Sequence, residues 1–132
     1  MELKVYTPLS ETDEAVVRDA IGCAITVHRT LGPGFKESIY QRALLLELDS
    51  NGVALESEKK IVVKYKTWEI PGQRVDLIVA NVVLIEIKTV SKVKALHRAQ
   101  VLSYLRTTGL HVGLILNFNV RLMKHGTHRV VL

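Results

Sequence analysis

The sequence predicts one mixed α/β domain that spans residues 1–132. A length of 132 residues suits a single domain, and the 48% of residues that are hydrophobic can supply its core. Apolar residues recur at helical spacing near both ends of the chain and in alternation or short runs between them. This pattern gives the order ααβββαβ, with a short further strand at the end.

The first predicted helix covers residues 12–31 and is capped by Thr12, with acidic residues in its first turn. Its apolar stripe includes Cys23 and His28, so we expect both side chains in the core. The segment Gly32-Pro33-Gly34 ends this helix, because glycine and proline interrupt helical structure.

A second helix is predicted from about residue 35 to residue 49. Apolar and lysine residues then alternate over residues 60–66, which predicts a strand, and Pro71-Gly72 is expected to end this run. Trp68 lies between them and suits packing within a loop or, alternatively, stacking on a base.

Two apolar segments, Val75–Val79 and Val82–Lys88, flank Ala80-Asn81 and predict a β-hairpin. Their continuous apolar character is typical of strands that are covered on both faces. A helix over residues 92–107 should follow. The chain should then end with strands at 111–118 and 129–132.

Charge is divided unevenly between the two parts of the chain. Residues 1–86 hold all 13 acidic groups and 10 Lys and Arg, a net charge of −3, whereas residues 87–132 hold 8 Lys and Arg and no acid. A basic surface of this kind suits a polyanion such as nucleic acid, although a merely basic, soluble surface fits equally well.

Several classes of protein are excluded or disfavoured. Cys23 is the only cysteine, so the chain can form neither an internal disulfide nor a cysteine-based metal cluster. We find no apolar signal segment and no run of apolar residues long enough to span a bilayer. The sequence therefore predicts a cytoplasmic protein without a membrane partner.

The residues that point to chemistry are Asp76, Glu86 and Lys88. Glu86 and Lys88 are two apart on one strand and share a face, and Asp76 lies on the preceding strand of the hairpin. Two carboxylates on one face could bind Mg²⁺ or Mn²⁺ through oxygen, with the Ile87 carbonyl as a further ligand. Lys88 could then orient or deprotonate a water, or stabilise charge on phosphate.

The length of the hairpin loop tests this arrangement. A two-residue loop at Ala80-Asn81 would pair Asp76 with Ile85 and turn Glu86 to the opposite face. We therefore predict a three-residue loop or a bulge between residues 79 and 83. A structural ion pair between Lys88 and either acid is the alternative explanation of these charges.

Four motifs occur in order along most of the chain. They are Gly34-Phe35-Lys36-Glu37-Ser38-Ile39-Tyr40, Arg74-Val75-Asp76, Glu86-Ile87-Lys88 and Gln100-Val101-Leu102-Ser103-Tyr104. Their order and spacing over about residues 13–119 resemble the GxxExxY protein family, a branch of the PD-(D/E)xK nuclease superfamily. The resemblance implies a restriction-endonuclease-like αβββαβ core, with a mixed central sheet flanked by helices and an extra N-terminal helix.

The resemblance also implies roles for individual residues. Asp76 and Glu86 match the metal ligands of the superfamily, and Lys88 matches its catalytic lysine. Glu37 matches an acid on the first core helix, which contacts the metal directly or through water. Gln100 and Tyr104 resemble the QxxxY element of RecB-like nucleases, which lies beside the metal and the substrate strand. Val75 replaces the proline that precedes the aspartate in the superfamily motif.

Other residues are candidates for packing or for substrate contact. Tyr40 could hold the Glu37 carboxylate or simply pack. Arg74, Lys92, Lys94 and Arg98 are candidates for phosphate contact, and a surface salt bridge at Arg74 or a solvated basic helix face are the alternatives.

Together these features predict a metal-dependent nuclease that hydrolyses phosphodiester bonds in nucleic acid, in DNA rather than RNA. A homodimer or an accessory partner would supply further substrate contacts. The alternatives are a non-catalytic nucleic-acid-binding or accessory protein on a nuclease fold, and an enzyme like a Holliday-junction resolvase.

Overall fold

The computed structural model describes residues 8–132. Residues 1–7 are outside the described residues. They include the start of the predicted domain and part of the sequence that was searched for a signal segment. In chain order the elements are α1 (Glu11–Leu31), α2 (Glu37–Ser50), β1 (Leu55–Tyr65), β2 (Trp68–Val79), β3 (Val83–Lys88), α3 (Ala95–Thr108), β4 (Val112–Asn117), a short 3₁₀ helix (Met123–His125) and β5 (Thr127–Val131).

The helices are where the sequence predicted them, with differences at their ends. Ser10, and not Thr12, caps α1: the Ser10 hydroxyl accepts a hydrogen bond from the backbone N–H of Asp13 at 3.1 Å. α3 begins at Ala95, three residues later than predicted. The backbone N–H of Lys94 donates to His97 Nδ1 at 3.0 Å, which holds the start of α3.

One five-stranded mixed sheet follows chain order from β1 to β5. Neighbouring strands are antiparallel except β3 and β4, which are parallel and are joined through α3. No helix among residues 8–132 is long and apolar enough to cross a membrane.

The prediction that Pro71-Gly72 ends a strand is wrong, because both residues lie within β2. The pairing of β1 with β2 shifts by one residue between Ile61 and Val63, opposite this dipeptide, which marks a β-bulge. Gly72 has a φ of 120°, a conformation that favours glycine, and a bulge tolerates the missing N–H of proline.

Helices cover both faces of the sheet. α1 and α2 pack on one face with Leu77, Ile85 and Ile87, while α3 packs on the other with Leu84 and Ile115. Side chains along β3 and β4 are therefore buried almost throughout, as their apolar runs predicted. Cys23 and His28 are buried on α1, as predicted.

The loop between β2 and β3 has three residues, and this prediction is confirmed. Val79 pairs with Val83, so residues 80–82 form the turn, which closes with a hydrogen bond from Val82 N–H to the Val79 carbonyl at 2.9 Å. Ala80 and Asn81 both adopt positive φ, 51° and 54°. Continuing this register places Asp76 opposite Glu86.

Candidate active site

Asp76 and Glu86 face each other where β2 and β3 separate. Regular pairing between these strands ends at Leu77 with Ile85, and the next connections use side chains. The backbone N–H of Asp76 donates to Glu86 Oε1 at 3.2 Å, and the backbone N–H of Ile87 donates to Asp76 Oδ2 at 2.9 Å. Each carboxylate is thus held by the backbone of the opposite strand.

The strand geometry changes at this level of the sheet. Val75 packs with the cluster on the α3 face, whereas Leu77 belongs to the cluster under α1 and α2, although residues two apart on a regular strand share a face. Glu58, on the neighbouring strand, has a φ of 49°. The break at Asp76 directs its carboxylate toward the backbone of β3.

Glu86 is buried and Asp76 is partly buried, and their two negative charges lie close together. Burial and then the negative charge of Asp76 raise the pKa of Glu86 to about 7, against only partial opposition from a hydrogen bond and from Lys88. Burial likewise raises the pKa of Asp76, and the charge of Glu37 adds to that effect. Two adjacent negative charges are unfavourable at this position, so the pair is stabilised when it binds a proton or a cation.

The donor atoms suit a hard divalent cation. Asp76 Oδ1 and Glu86 Oε2 accept no hydrogen bond from the described residues. Every fully buried side-chain oxygen of residues 8–132 has a hydrogen-bond partner, so these two oxygens are not fully buried and remain accessible to solvent. Ile87 directs its N–H toward β2, and its carbonyl therefore points the same way. Two carboxylates and one carbonyl match the oxygen ligands that Mg²⁺ prefers.

Lys88 is held by α3 and by neither acid. Its Nζ donates to Gln100 Oε1 at 3.3 Å, and it forms no ion pair with either carboxylate within the described part of the chain. Its positive charge still lowers the pKa of both acids relative to burial alone. The alternative of a closed structural ion pair is therefore wrong.

Gln100 and Tyr104 lie on one side of α3, one turn apart, as predicted. The Tyr104 hydroxyl donates to Gln73 Oε1 at 3.2 Å, and the nearby Gln100 side chain lowers the pKa of this hydroxyl. Burial and the charge of Glu86 raise the Tyr104 pKa, so the phenol stays protonated. Two polar pairs, Lys88 with Gln100 and Tyr104 with Gln73 on β2, thus lie one helical turn apart along α3.

Glu37 stands at the start of α2 with an exposed side chain. Its charge raises the pKa of Asp76 and Glu86, which places it near the pair. No three His, Cys, Asp or Glu side chains of residues 8–132 come together as a metal site, so the cluster holds two carboxylates. Contact of Glu37 with a metal, direct or through water, stays a prediction.

Tyr40 supports the turn before α2 and does not bind Glu37. Its hydroxyl donates to the Gly32 carbonyl and accepts from the Phe35 N–H at 3.2 Å, and its buried ring stacks on Phe118 with centroids 4.5 Å apart. Gly34 within this turn has a φ of 113°. Tyr40 therefore fixes where α2, and with it Glu37, begins.

Sequence reasoning missed three polar residues around the site. Gln41 donates to the Asp76 carbonyl at 3.4 Å, and its place four residues after Glu37 on α2 could have indicated it. Gln73 gave no signal. Buried Asn117 bonds both backbone groups of Val90, just beyond Lys88, and an amide within an apolar strand was the available clue.

The candidate phosphate contacts are spread over the surface. Arg74 pairs with Glu58 at 3.4 Å, both side chains being exposed, and Arg98 Nη2 lies 3.1 Å from His128 Nδ1. Lys92 and Lys94 lie in the segment before α3 and not within it, which corrects the prediction that they line the helix. Contact of these four residues with nucleic acid stays a prediction.

The topology and the cluster define a class. A mixed sheet between helices, with acids on two adjacent strands and a lysine two residues after the second acid, is the arrangement of a PD-(D/E)XK nuclease. The family model for the PD-(D/E)XK nuclease superfamily matches residues 14–130, and the chain belongs to this superfamily.

Structural comparison agrees on the fold. The chain is similar to the crystal structure of SSO0001, with a TM-score of 0.57 and 22% sequence identity over 71% of this chain. It spans about half of that protein, 48% of its length, so the likeness concerns the fold alone. No curated protein sequence matches the chain.

Proposed function

We propose that this protein is a nuclease that uses Mg²⁺ or Mn²⁺ to hydrolyse phosphodiester bonds in DNA. The observation that carries the proposal is the meeting of Asp76 and Glu86 across separating strands, each with one accessible oxygen, beside the Lys88 amine. The superfamily to which the chain belongs supports nuclease chemistry, and DNA as the substrate is part of the proposal.

Asp76, Glu86 and the Ile87 carbonyl would hold the cation, with Glu37 reaching it directly or through water. A bound divalent metal polarises a phosphate oxygen and lowers the pKa of a bound water. Lys88, oriented by Gln100, would position the attacking water or stabilise the negative charge that develops on the phosphate. Tyr104, one turn further along α3, bonds Gln73 on β2.

We also assign the chain, within the superfamily, to the GxxExxY branch. The structure gives physical reasons for that motif in this chain. Gly34 supplies a positive φ, Tyr40 ties the turn to α2, and Glu37 opens the helix close to the acid pair. The three residues thus act together to set one carboxylate near Asp76.

The direct test is cleavage of labelled DNA and RNA substrates with Mg²⁺, with Mn²⁺ and with EDTA. We expect DNA cleavage that depends on the metal and falls about 100-fold or more in Asp76→Asn and in Lys88→Ala, since each removes a group that acts on the scissile phosphate or its metal. Asp49→Asn removes an exposed carboxylate from the far end of α2 and should cleave like the wild type.

Binding measurements separate the alternatives. Cleavage that is equal in the wild type and both variants would remove the catalytic assignment. DNA binding without cleavage, unchanged in Glu86→Ala, would instead indicate a non-catalytic binding protein. Thermal unfolding of each variant shows whether a loss of cleavage reflects a loss of folding.

A further inference from the structure

The hairpin of β1 and β2 extends beyond the helices as a two-stranded arm, residues 60–73. Side chains along this arm are exposed except Ile61, which packs under α3. The arm continues directly from Asp76: Trp68 lies eight positions before Asp76 along β2, a distance of roughly 26 Å at the usual rise of a strand. A ligand long enough to extend along the arm can therefore contact both its tip and the candidate active site.

One face of the arm carries exposed apolar and aromatic side chains. Val63 pairs with Ile70 and Tyr65 pairs with Trp68, and cross-strand partners share a face. The Tyr65 and Trp68 rings stack with centroids 6.2 Å apart and an interplanar angle of 21°, yet the residues are 55% and 61% exposed. Such a platform at a surface is suited to stacking on an unpaired base.

This aromatic face leads back to the active site. Ile61, Val63 and Tyr65 alternate along β1 and so share one face, which is the face covered by α3. Gln73 pairs with Ile61 in the strand register, so its side chain lies on this same face. Its Oε1 accepts a hydrogen bond from Tyr104, which lies one helical turn from the Gln100 that binds Lys88. A strand lying on the platform would thus follow one continuous face toward Lys88.

The opposite face of the arm is basic. Lys60 and Lys64 alternate with the aromatic-face residues and so project the other way, and Lys66 at the turn lies 5.5 Å from the Tyr65 ring. The arm contains one acid, Glu69, which lies across from Lys64 in the β1–β2 register, but none of these three lysines forms an ion pair within the described part of the chain. The excess of lysine over acid on the arm suits phosphates and would repel a second copy of the arm.

We infer that the arm binds a forked nucleic acid, in which a paired region opens into single strands. This inference rests on the proposed function, whose substrate class it narrows. Unpaired bases of one strand would stack on Tyr65 and Trp68, and the phosphates of the other strand would contact Lys60 and Lys64 on the opposite face. The arm would therefore separate the two strands and direct one of them toward the acid pair.

Trp68 is the only tryptophan in the chain, so its fluorescence reports directly on the tip of the arm. The experiment titrates the Asp76→Asn variant, in EDTA to prevent cleavage, with a forked DNA, a blunt duplex and a single strand of equal length. We expect the fork to quench Trp68 emission and to bind more tightly than the blunt duplex, which should quench little.

Trp68→Ala in the same background should weaken binding of the fork about 5- to 100-fold, as loss of one stacked base predicts, and leave the blunt duplex unaffected. Lys60→Gln and Lys64→Gln should weaken both substrates. The matched control is Leu46→Ala, which removes an equally exposed apolar side chain from α2 and should change neither. Anisotropy of labelled DNA gives the affinity of variants without tryptophan.

Two outcomes would overturn the inference. One is fork binding without a change in Trp68 emission and with equal affinity in Trp68→Ala. The other is a dimer that Trp68→Ala converts to monomer with DNA binding intact, which would make the arm a self-association surface. If the fork quenches Trp68 emission but the wild type does not cleave DNA, binding by the arm is supported and the proposed nuclease activity is contradicted. The failure of one proposal can therefore be distinguished from the failure of the other.

Discussion

At the scale of single residues, the raised pKa values of the acid pair make the stability of the protein depend on pH. Glu86 is 6% exposed and faces a second carboxylate, and its pKa of about 7 is well above the 4.5 of an exposed glutamate. Between these two values the folded protein holds a proton that the unfolded chain has released. The free energy of unfolding therefore falls as pH rises through this interval.

We accordingly expect the metal-free protein to lose stability from pH 5 to pH 8, by up to about 3 kcal/mol from Glu86. The raised pKa of Asp76 acts in the same direction. Glu86→Gln should flatten this dependence because the neutral amide has no proton to release. Urea unfolding in EDTA at the two pH values measures the difference.

Glu69→Gln is the control for this prediction, since it removes an exposed carboxylate from the same strand that bears Asp76. It should keep the pH dependence of the wild type. If the free energy of unfolding falls equally from pH 5 to pH 8 in the wild type and in Glu86→Gln, then Glu86 does not have a raised pKa.

Residue types and spacing predicted which two acids would meet, but not how their carboxylates are held. The D…ExK pattern predicted that Asp76 and Glu86 would meet, and the three-residue loop that this requires is present. The backbone hydrogen bonds that hold each carboxylate follow from the break in strand alternation at Asp76, which no local pattern indicates. Gln73 was missed because its partner Tyr104 is 31 residues away in sequence, and no local pattern relates the two.

At the scale of secondary-structure elements, α3 is the support on which Lys88 depends. The helix packs across the sheet closely above Gly113 of β4, where an added Cβ would lie 2.6 Å from Val101 Cγ1. Val101 follows Gln100 in sequence, so any displacement of this turn would move the residue that holds the Lys88 amine.

Gly113→Ala should therefore destabilise the protein by about 1–3 kcal/mol, the usual cost of overpacking a core. Cleavage should fall more than stability alone explains, because Gln100 moves with the helix. Urea unfolding gives the first quantity, and initial cleavage rates at a temperature where the variant is folded give the second.

Gly22→Ala is the matched control. Gly22 lies inside α1, and apart from its chain neighbours and the local helix backbone no atom is within 4 Å of the added Cβ, so alanine should stabilise that helix by roughly 0.5–1 kcal/mol. A Gly113→Ala variant as stable as the wild type would show that α3 can shift without cost and does not restrain Lys88.

Types of element were predicted correctly, and their ends less well. Hydrophobic periodicity indicated the helices and the buried strands, because it reflects which face each element buries. It misplaced the limits of β2, since Pro71 and Gly72 interrupt most strands but are accommodated here by a bulge. Alternation over residues 60–66 predicted the β1 half of the arm, whereas the β2 half contains Pro71 and Gly72 and has no regular alternation to reveal its length.

At the scale of the whole molecule, unequal charge should dominate nucleic-acid binding. The chain carries a net charge of +5, and the acid-free part begins immediately after Glu86. Association with DNA should therefore weaken steeply as salt rises, because each phosphate that is neutralised releases a counterion.

Lys92→Gln and Lys94→Gln should each reduce the slope of log K against log salt by about one, if each lysine contacts one phosphate. Titrations of the Asp76→Asn variant with duplex DNA at several salt concentrations measure this. Arg29→Gln, at the exposed end of α1, should leave the slope unchanged. Slopes that do not respond to either lysine would place the phosphate backbone elsewhere on the protein.

The sequence by itself determined the class of fold, the elements and their order, the uneven charge and the identity of the acid–acid–lysine set, because each is a matter of composition or of spacing along the chain. Only the tertiary structure decided that strand geometry breaks at Asp76, that Lys88 is held by Gln100 and not by an acid, and that the β1–β2 hairpin extends as an exposed arm. These features depend on contacts between distant residues, and local periodicity reports which side an element buries but not what lies against it.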